Sequence, residues 1–478
     1  MNWYAKVLLP ISLGLALVAL AGTFTPDDGP APPPPPTSDT TPDPNLDATT
    51  VTVAPLRAFS TAFASGDELF SRIWTPEMGV GARVGDGTFF TRVPRADLRG
   101  PRDWYSHVPA RLTGPNEASC KSCHDLPFEG GAGTTDKDII RDPLRLADPT
   151  RYLHRQAPHL AMLGAVQRLG EEMTEDLQTI RDQTLADACL GHTHVLGKRL
   201  STMWSIQFGF ISIHCHDGVA ANATTDCSQV AGVDCPSLVV KPFGWKGNVR
   251  TIREFVLSAY NQELGLQPRE IVGTADADFD GVISEVRRRQ VTDTVIYLAA
   301  QPRPVEVRSA DPAIQARIDE GSKQFRGWIS TDGVLHGLNC WYGCHSGYQT
   351  IREAEFREGR TFFDLGIHGG RPLGHEGTTG RASIQAFTDL KRHNMGPDDC
   401  DPVDETGTGP CTWLTRSLWG VGSTAPYMHD GASLTLDAAI IRHGGDAAPS
   451  RDLYLALTPE QKEDVALYLG SLQLREVP

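Results

Sequence analysis

The residues with the clearest chemistry fall in two Cys/His clusters. The first, in "ASCKSCHD", is Cys120-x-x-Cys123-His124. At this spacing two thiols can add across the vinyl groups of a haem, and the histidine that follows can turn its imidazole under the ring to ligate iron. Half of a zinc site is the alternative, but zinc ribbons bring two Cys-x-x-Cys pairs within about 15–20 residues of each other. The second cluster, in "GLNCWYGCHSG", contains Cys340, Cys344 and His345, with one more residue between the thiols. It can be a metal knuckle or a haem site in an unusual spelling.

The elements around the clusters repeat. Gly66–Phe70 reads "GDELF" and Gly321–Phe325 reads "GSKQF", each Gly-x-x-x-Phe and each upstream of its cluster. Downstream, Gly-x-x-x-Thr-[Ile/Leu] occurs as "GNVRTI" from Gly247 and "GASLTL" from Gly431. Each half closes on a helical segment with Tyr-Leu, "TDTVIYLAAQ" and "TPEQKEDVALYLGSL". In the latter, Thr458 is placed to cap, Pro459 opens the first turn and Gln461 completes a capping box. Its Val465, Leu469 and Leu472 share a face. A duplicated haem unit predicts a haem at the second cluster as well, the extra residue only widening the loop. Cys120, Cys123, Cys340 and Cys344 are therefore read as haem attachment residues, and His124 and His345 as iron ligands.

The N-terminus bears on compartment. Lys6, an apolar run over residues 7–21 and the small-x-small triplet ending at Ala21 give the anatomy of a secretory signal peptide over residues 1–22. An uncleaved membrane anchor is the alternative, although the run is shorter than the roughly 20 residues a span needs. Residues 23–55 are a Pro-rich, acidic tether that cannot bury a core. The chain from residue 56 onward is too long for one core. It is expected to divide into an N-terminal haem domain with insertions, 56–305, and a C-terminal haem domain, 306–478. The expected fold is mainly α, two cytochrome c-like domains in tandem with long loops. A formal net charge of −15 argues against nucleic acid as a partner. Of ten cysteines, six lie outside the clusters. Cys227 with Cys235, and Cys400 with Cys411, are close enough to staple two loops, which leaves Cys189 and Cys215; disulfides suit an exported, periplasmic protein.

With both clusters in place, the chain resembles the di-haem oxidoreductases related to bacterial cytochrome c peroxidases. The resemblance rests on "SCKSCHDLPFEGG", "APHLAMLGAVQRLGEEMTEDLQTIRD", "LVVKPFGWKGNVRTIREFV", "ADFDGVISEV", "DLKRHNMG" and "LWGVGSTAPYMHDGASLTLDAAIIRHGG", in that order around the two clusters. It implies a reactive N-terminal haem and an electron-transfer C-terminal haem. The second ligand of the C-terminal iron would fall on His443, where the peroxidases carry methionine. A bis-histidine haem has a lower potential than one with an axial thioether. A helix-terminal histidine contacting the last carbonyls is the other reading of His443, and Met395 and Met428 are its rivals as ligand. The same resemblance puts Trp245 between the haems as an electron relay, with Lys246 in an acidic position; a packed core indole is the alternative. The relatives' distal polar residue falls at Phe255, beside Glu254, and Glu263 further along the helix is the candidate acid.

Two smaller groups remain. Asp276, Asp278, Asp280, Gly281 and Glu285 have the carboxylate spacing and turn glycine of a Ca²⁺ loop, but Arg287 stands at the twelfth position, so a plain acidic turn competes. His192, His194, His214 and His216 flank the Cys189/Cys215 pair and offer a zinc site, while His154 and His159 offer a cap for the first haem. The expected activity is reduction of H₂O₂ at the N-terminal haem, fed from the C-terminal haem by a small redox donor such as a cytochrome c or a copper protein. A di-haem electron carrier and another haem-dependent oxidase or oxygenase are the competing functions.

Overall fold

Two helix pairs, built alike, organise the chain. Helix α1 (Phe59–Ser71) crosses α4 (Arg288–Ala299), and α5 (Pro312–Arg326) crosses α7 (Pro459–Ser471). The crossing point in each pair is a glycine. A Cβ on Gly66 would lie 2.1 Å from the Asp293 carbonyl oxygen, and one on Gly321 would lie 1.9 Å from that of Asp464. Only glycine lets two helix backbones approach so closely. Four residues on, Phe70 packs 5.2 Å from Tyr297 and Phe325 packs 5.6 Å from Tyr468, ring centre to ring centre. The Gly-x-x-x-Phe and Tyr-Leu phrases are thus the two faces of one repeated contact. Helix α7 begins in a capping box between Thr458 and Gln461, and its Val465, Leu469 and the adjoining Leu472 are buried.

The structure is a computed structural model that describes residues 58–83, 89–90, 116–134, 139–140, 151–190, 195–203, 205–276, 281–347, 349–365, 374–375 and 381–476. They all belong to one compact unit, 43–478. The expected signal peptide and tether, 1–22 and 23–55, lie outside the described residues. Among the described residues no helix is long and apolar enough to cross a membrane.

Two hydrophobic clusters fill the unit. The larger draws on α1, α4, the long helix α2 (Leu163–Leu190) and α3 (Ile252–Gln262), together with residues 351–390. The smaller is built by α5, α7, Leu338, Trp341 and Phe387. Polar contacts reinforce the larger one: Arg352 bridges to Asp176, and its backbone N–H donates to Glu172, buried on α2.

The expectation of a mainly α chain of tandem cytochrome c-like domains is overturned. Of the described residues 36% are helical and 17% lie in strands, so the fold is mixed. Strands β1 (Val195–Ser201), β2 (Gln207–His214) and β3 (Thr224–Val230) form a three-stranded antiparallel sheet. Its physical cause is local. Phe208, Ile211 and Ile213 are buried, and β-branched or aromatic side chains suit a pleated, half-buried surface. Regions expected as loops also pair, as in the hairpin 355–364 and the bridge of 392–394 to 412–414. Disulfides Cys189–Cys215, Cys227–Cys235 and Cys400–Cys411 are present, the last two as the spacing implied.

Candidate di-haem site

The two Cys/His clusters are two versions of one turn. In the first, the Cys123 N–H donates to the Cys120 carbonyl at 3.2 Å and the His124 N–H to the Lys121 carbonyl at 3.1 Å. In the second, the Cys340 carbonyl accepts from both Cys344 (3.2 Å) and His345 (2.9 Å). The extra residue is taken up in this wider i→i+5 closure, as in a π-type turn. The outcome for the histidine is the same. Nδ1 of His124 donates to the Pro158 carbonyl at 2.9 Å, and Nδ1 of His345 to that of Phe387 at 3.0 Å. A backbone carbonyl on Nδ1 fixes the tautomer and leaves Nε2 with its lone pair, the arrangement typical of a metal-ligating imidazole. Phe70 and Phe325 stand 6.4 and 6.3 Å from the respective rings, at the same 41° tilt. Burial pushes both histidines down to about 4, so both are neutral near pH 7. The four cluster cysteines are outside the disulfides, and burial pushes the Cys120 and Cys340 thiols up to about 12.

Beside the second cluster opens a largely apolar cavity of about 410 Å³, lined by Cys340, Cys344, His345 and His443 among others. Thr435 caps α6 (Leu436–Arg442) through its hydroxyl, and His443 is the C-terminal cap. His443 Nδ1 donates to the Ala439 carbonyl at 2.7 Å, so the helix-end contact and a ligand role coexist: one nitrogen makes the contact and Nε2 is left over. Its ring centre is 6.5 Å from that of His345. A metal bonded at about 2 Å to two imidazoles that face each other across it places their ring centres roughly 6 Å apart. The donor set therefore fits a haem that Cys340 and Cys344 would hold and that His345 and His443 would ligate. Met395 and Met428 line the same cavity. A competing donor set exists too: ligand atoms of Cys344, Asp389 and His393 lie within 4.8 Å of one another, although His393 Nε2 already pairs with Asp389 at 2.9 Å.

Trp245 forms part of the cavity wall, its Nε1–H donating to the Gln156 carbonyl at 2.8 Å. The Arg416 guanidinium lies 5.3 Å from its ring, and burial pushes Arg416 down to about 10. Glu263 is elsewhere. It caps the end of α3, and its carboxylate accepts from Asn116 Nδ2 at 2.5 Å, four residues before Cys120. Glu254 is used in the capping box that opens α3, and Phe255 is 39% exposed. His154 is exposed. Half-buried His159 accepts from the Ala161 N–H at 3.3 Å and bonds to the Trp419 backbone. The rings of half-buried His214 and exposed His216 lie 4.0 Å apart at a 42° tilt, while His192 and His194 lie outside the described residues. In the acidic turn, Asp276 accepts from Gly281 N–H and Glu285 from Gln267 N–H; Asp278 and Asp280 lie outside the described residues.

Two features escaped the sequence. One is a correspondence between the halves. Phe243 pairs with Val249 as Tyr427 pairs with Ser433, and in each case a threonine two residues on, Thr251 or Thr435, caps the next helix. In this register Trp245 corresponds to His429 and Ala259 to His443. The equal offsets from the shared Gly-x-x-x-Thr phrase carried that signal. The other is a buried ionic network. Arg155 makes a bidentate pair with Asp401 (2.9 and 2.7 Å) and reaches Glu405 (2.9 Å). His429 stacks on Trp413 at 3.7 Å, and Arg442 pairs with Asp399 at 2.6 Å. Arg155 and its acidic partners are far apart in sequence, and only the folded chain joins them.

Comparison with known proteins places part of this chain. Residues 333–472 match the family described as "Di-haem oxidoreductase, putative peroxidase". No curated protein matches. Among solved structures, one similar chain is Kuenenia stuttgartiensis hydrazine synthase pressurised with 20 bar xenon, at 16% identity over 39% of this chain and 55% of that one, with a TM-score of 0.22. This chain thus spans about half the length of that protein. Another is a MauG-like protein associated with microbial copper homeostasis, at 16% identity over 48% of this chain and 68% of that one, with a TM-score of 0.25. Likenesses of that order carry no weight for fold or mechanism. The family match is confined to residues 333–472, which include Cys340, Cys344, His345 and His443, and over that stretch the chain is similar to the di-haem oxidoreductase family.

Proposed function

We propose that this chain is an exported, periplasmic di-haem c-type oxidoreductase that reduces H₂O₂ at an N-terminal haem with electrons passed from a C-terminal haem. The first haem would be held by Cys120, Cys123 and His124, and the second by Cys340, Cys344, His345 and His443. A bound haem supplies the redox-active iron, and the protein tunes it through ligands, neighbouring groups and access. The observation that carries the proposal is asymmetry at one position. Where the C-terminal half has His443, the N-terminal half has Ala259, which has no side-chain donor atom. One half is equipped to saturate its metal, and the other leaves a position for a small substrate.

The chain's own residues divide the remaining work. Pro158 and Phe387 carbonyls hold His124 and His345 in the ligating tautomer. Trp245, on the wall of the second site, relays the electron, with the Arg416 guanidinium 5.3 Å from its ring. Glu263, oriented by Asn116, is the candidate proton donor. Three disulfides support export, and a small redox protein is the donor that fits. Phe255, apolar on the helix where the relatives carry a polar group, favours a second function, electron transfer without peroxide turnover. Stopped-flow mixing of H₂O₂ with ferric and half-reduced protein, wild type and Trp245→Phe, distinguishes them. Peroxide reduction requires rapid loss of a high-spin band, faster after half-reduction, with slower inter-haem transfer in the variant. Slow bleaching alone in both redox forms refutes it in favour of a carrier.

A further inference from the structure

Lys246 is 1% exposed, although a lysine ammonium is among the groups least often buried. Its Nζ donates to the carbonyls of Pro410 (2.8 Å), Gly409 (3.1 Å) and Thr412 (3.3 Å), and lies 3.2 Å from Asp401 Oδ2. The fifth side is the face of Trp413, 3.6 Å from the ring centre. Three carbonyls and a carboxylate form the all-oxygen donor set of a hard cation, and the indole face adds a cation–π contact.

The cage is organised by its own loop. Cys400–Cys411 closes it, Asp404 accepts from Gly407 and Gly409 N–H at 2.9 and 2.8 Å, and the Asp401 N–H donates to the Pro410 carbonyl at 3.1 Å. The carbonyls therefore converge through bonds that do not involve the lysine. We propose that loop 399–412 is a cation receptor whose ion is built into the chain, Lys246 standing where a large monovalent cation would otherwise bind. Size and charge select that class. Oxygen distances of 2.8–3.3 Å exceed the roughly 2.3–2.6 Å of Ca²⁺ coordination. Without the ammonium, Asp401 and Glu405 keep one permanently charged partner, Arg155, with the His429 imidazole 3.7 Å from Asp401, and the excess of one negative charge over the guanidinium is what a monovalent ion balances. Because Trp245 precedes Lys246, anchoring the ammonium also fixes that indole in the cavity wall.

The test is thermal melting of the haem-loaded protein, followed by circular dichroism, for wild type, Lys246→Ala and Lys246→Ala/Asp401→Asn. Each is melted in K⁺, NH₄⁺, Na⁺, Ca²⁺ or choline at fixed ionic strength. In choline the alanine variant should melt roughly 5 °C or more below wild type, since a buried charge has lost its partner. K⁺ or NH₄⁺ should restore at least half of that loss, and wild type and the double variant should show no such selectivity. Crystals of Lys246→Ala soaked in Tl⁺ should show an anomalous peak inside the cage. A folded variant indifferent to every cation, or one restored by Ca²⁺ alone, overturns the proposal. Should the variant not fold in choline, refolding in ammonium makes the same comparison, and failure to recover in any cation counts against it.

Discussion

Replacing Gly321 with alanine should loosen the second half of the molecule while leaving the first intact. An exposed helical Gly→Ala change normally stabilises by about 1 kcal/mol. At Gly321 the new Cβ would meet the Asp464 carbonyl oxygen at 1.9 Å, its carbon at 2.4 Å and the Val465 nitrogen at 2.9 Å. All three are backbone atoms of α7, so no rotamer change relieves the clash and the helices must part. Parting them also opens the Phe325–Tyr468 contact and the packing around Val465. Overpacking of this kind costs typically 1–3 kcal/mol and occasionally more. A backbone clash belongs at the upper end, which leaves a net destabilisation of about 2 kcal/mol after the helix gain. Gly470, on the same α7, has nothing within 4 Å of an added Cβ and serves as control. Guanidinium unfolding of Gly321→Ala, Gly66→Ala and Gly470→Ala should give two destabilised proteins and one neutral or slightly stabilised. Absorption spectra should show the C-terminal haem disturbed in the first variant and the N-terminal haem in the second. If Gly321→Ala unfolds within about 0.5 kcal/mol of wild type, or Gly470→Ala is equally damaged, the repeated helix crossing does not govern stability.

His443→Met should raise the potential of the C-terminal haem and shift its low-spin spectrum, measured by spectroelectrochemistry, with the N-terminal haem unchanged. Pyridine haemochrome analysis should give two haems per chain, and about one after Cys340 and Cys344 are both replaced by alanine; two in the double variant would contradict attachment there. In the chain before haem attachment, burial alone would lower the His393 pKa, but hydrogen bonds to Asp389 and to the free Cys344 thiol hold it up to about 10. The folded value exceeds the ordinary 6.5, so its stabilising contribution is complete below pH 6.5 and is lost as pH rises through about 10. Melting temperature of the haem-free chain against pH should therefore fall less steeply over that window in His393→Gln than in wild type.

What was legible in the sequence was local or repeated. The capping box at Thr458, the buried face of α7 and the Gly-x-x-x-Phe contacts arise from neighbours on one helix or from a phrase seen twice. Short cysteine separations were equally readable, since few geometries close a small loop. The sheet at 195–230 was not anticipated, because a haem-binding duplication led to a mainly α expectation and its strands carry only brief alternation. The Lys246 cage was beyond reach for a different reason. Its carbonyl donors leave no mark on residue type, and Asp401 resembles any other carboxylate in a loop rich in Asp and Gly. Glu263 shows the limit of register arguments: it lies on the expected helix, and its carboxylate is engaged by Asn116.

The long separation between the halves of each helix crossing has a consequence for the order of assembly. Helix α1 waits for α4, which begins at Arg288, long after Cys120–His124 has been synthesised. Closing so long a loop is entropically expensive and late. The first Cys/His turn is therefore presented on an open chain, accessible to whatever machinery installs its cofactor, before Tyr297 seals the far side of Phe70. The second turn is closed sooner after it is made, by α7 at the C-terminal end. Vectorial synthesis thus leaves the two sites different intervals for loading, and a chain truncated before α4 should still present its first site but be unable to lock it.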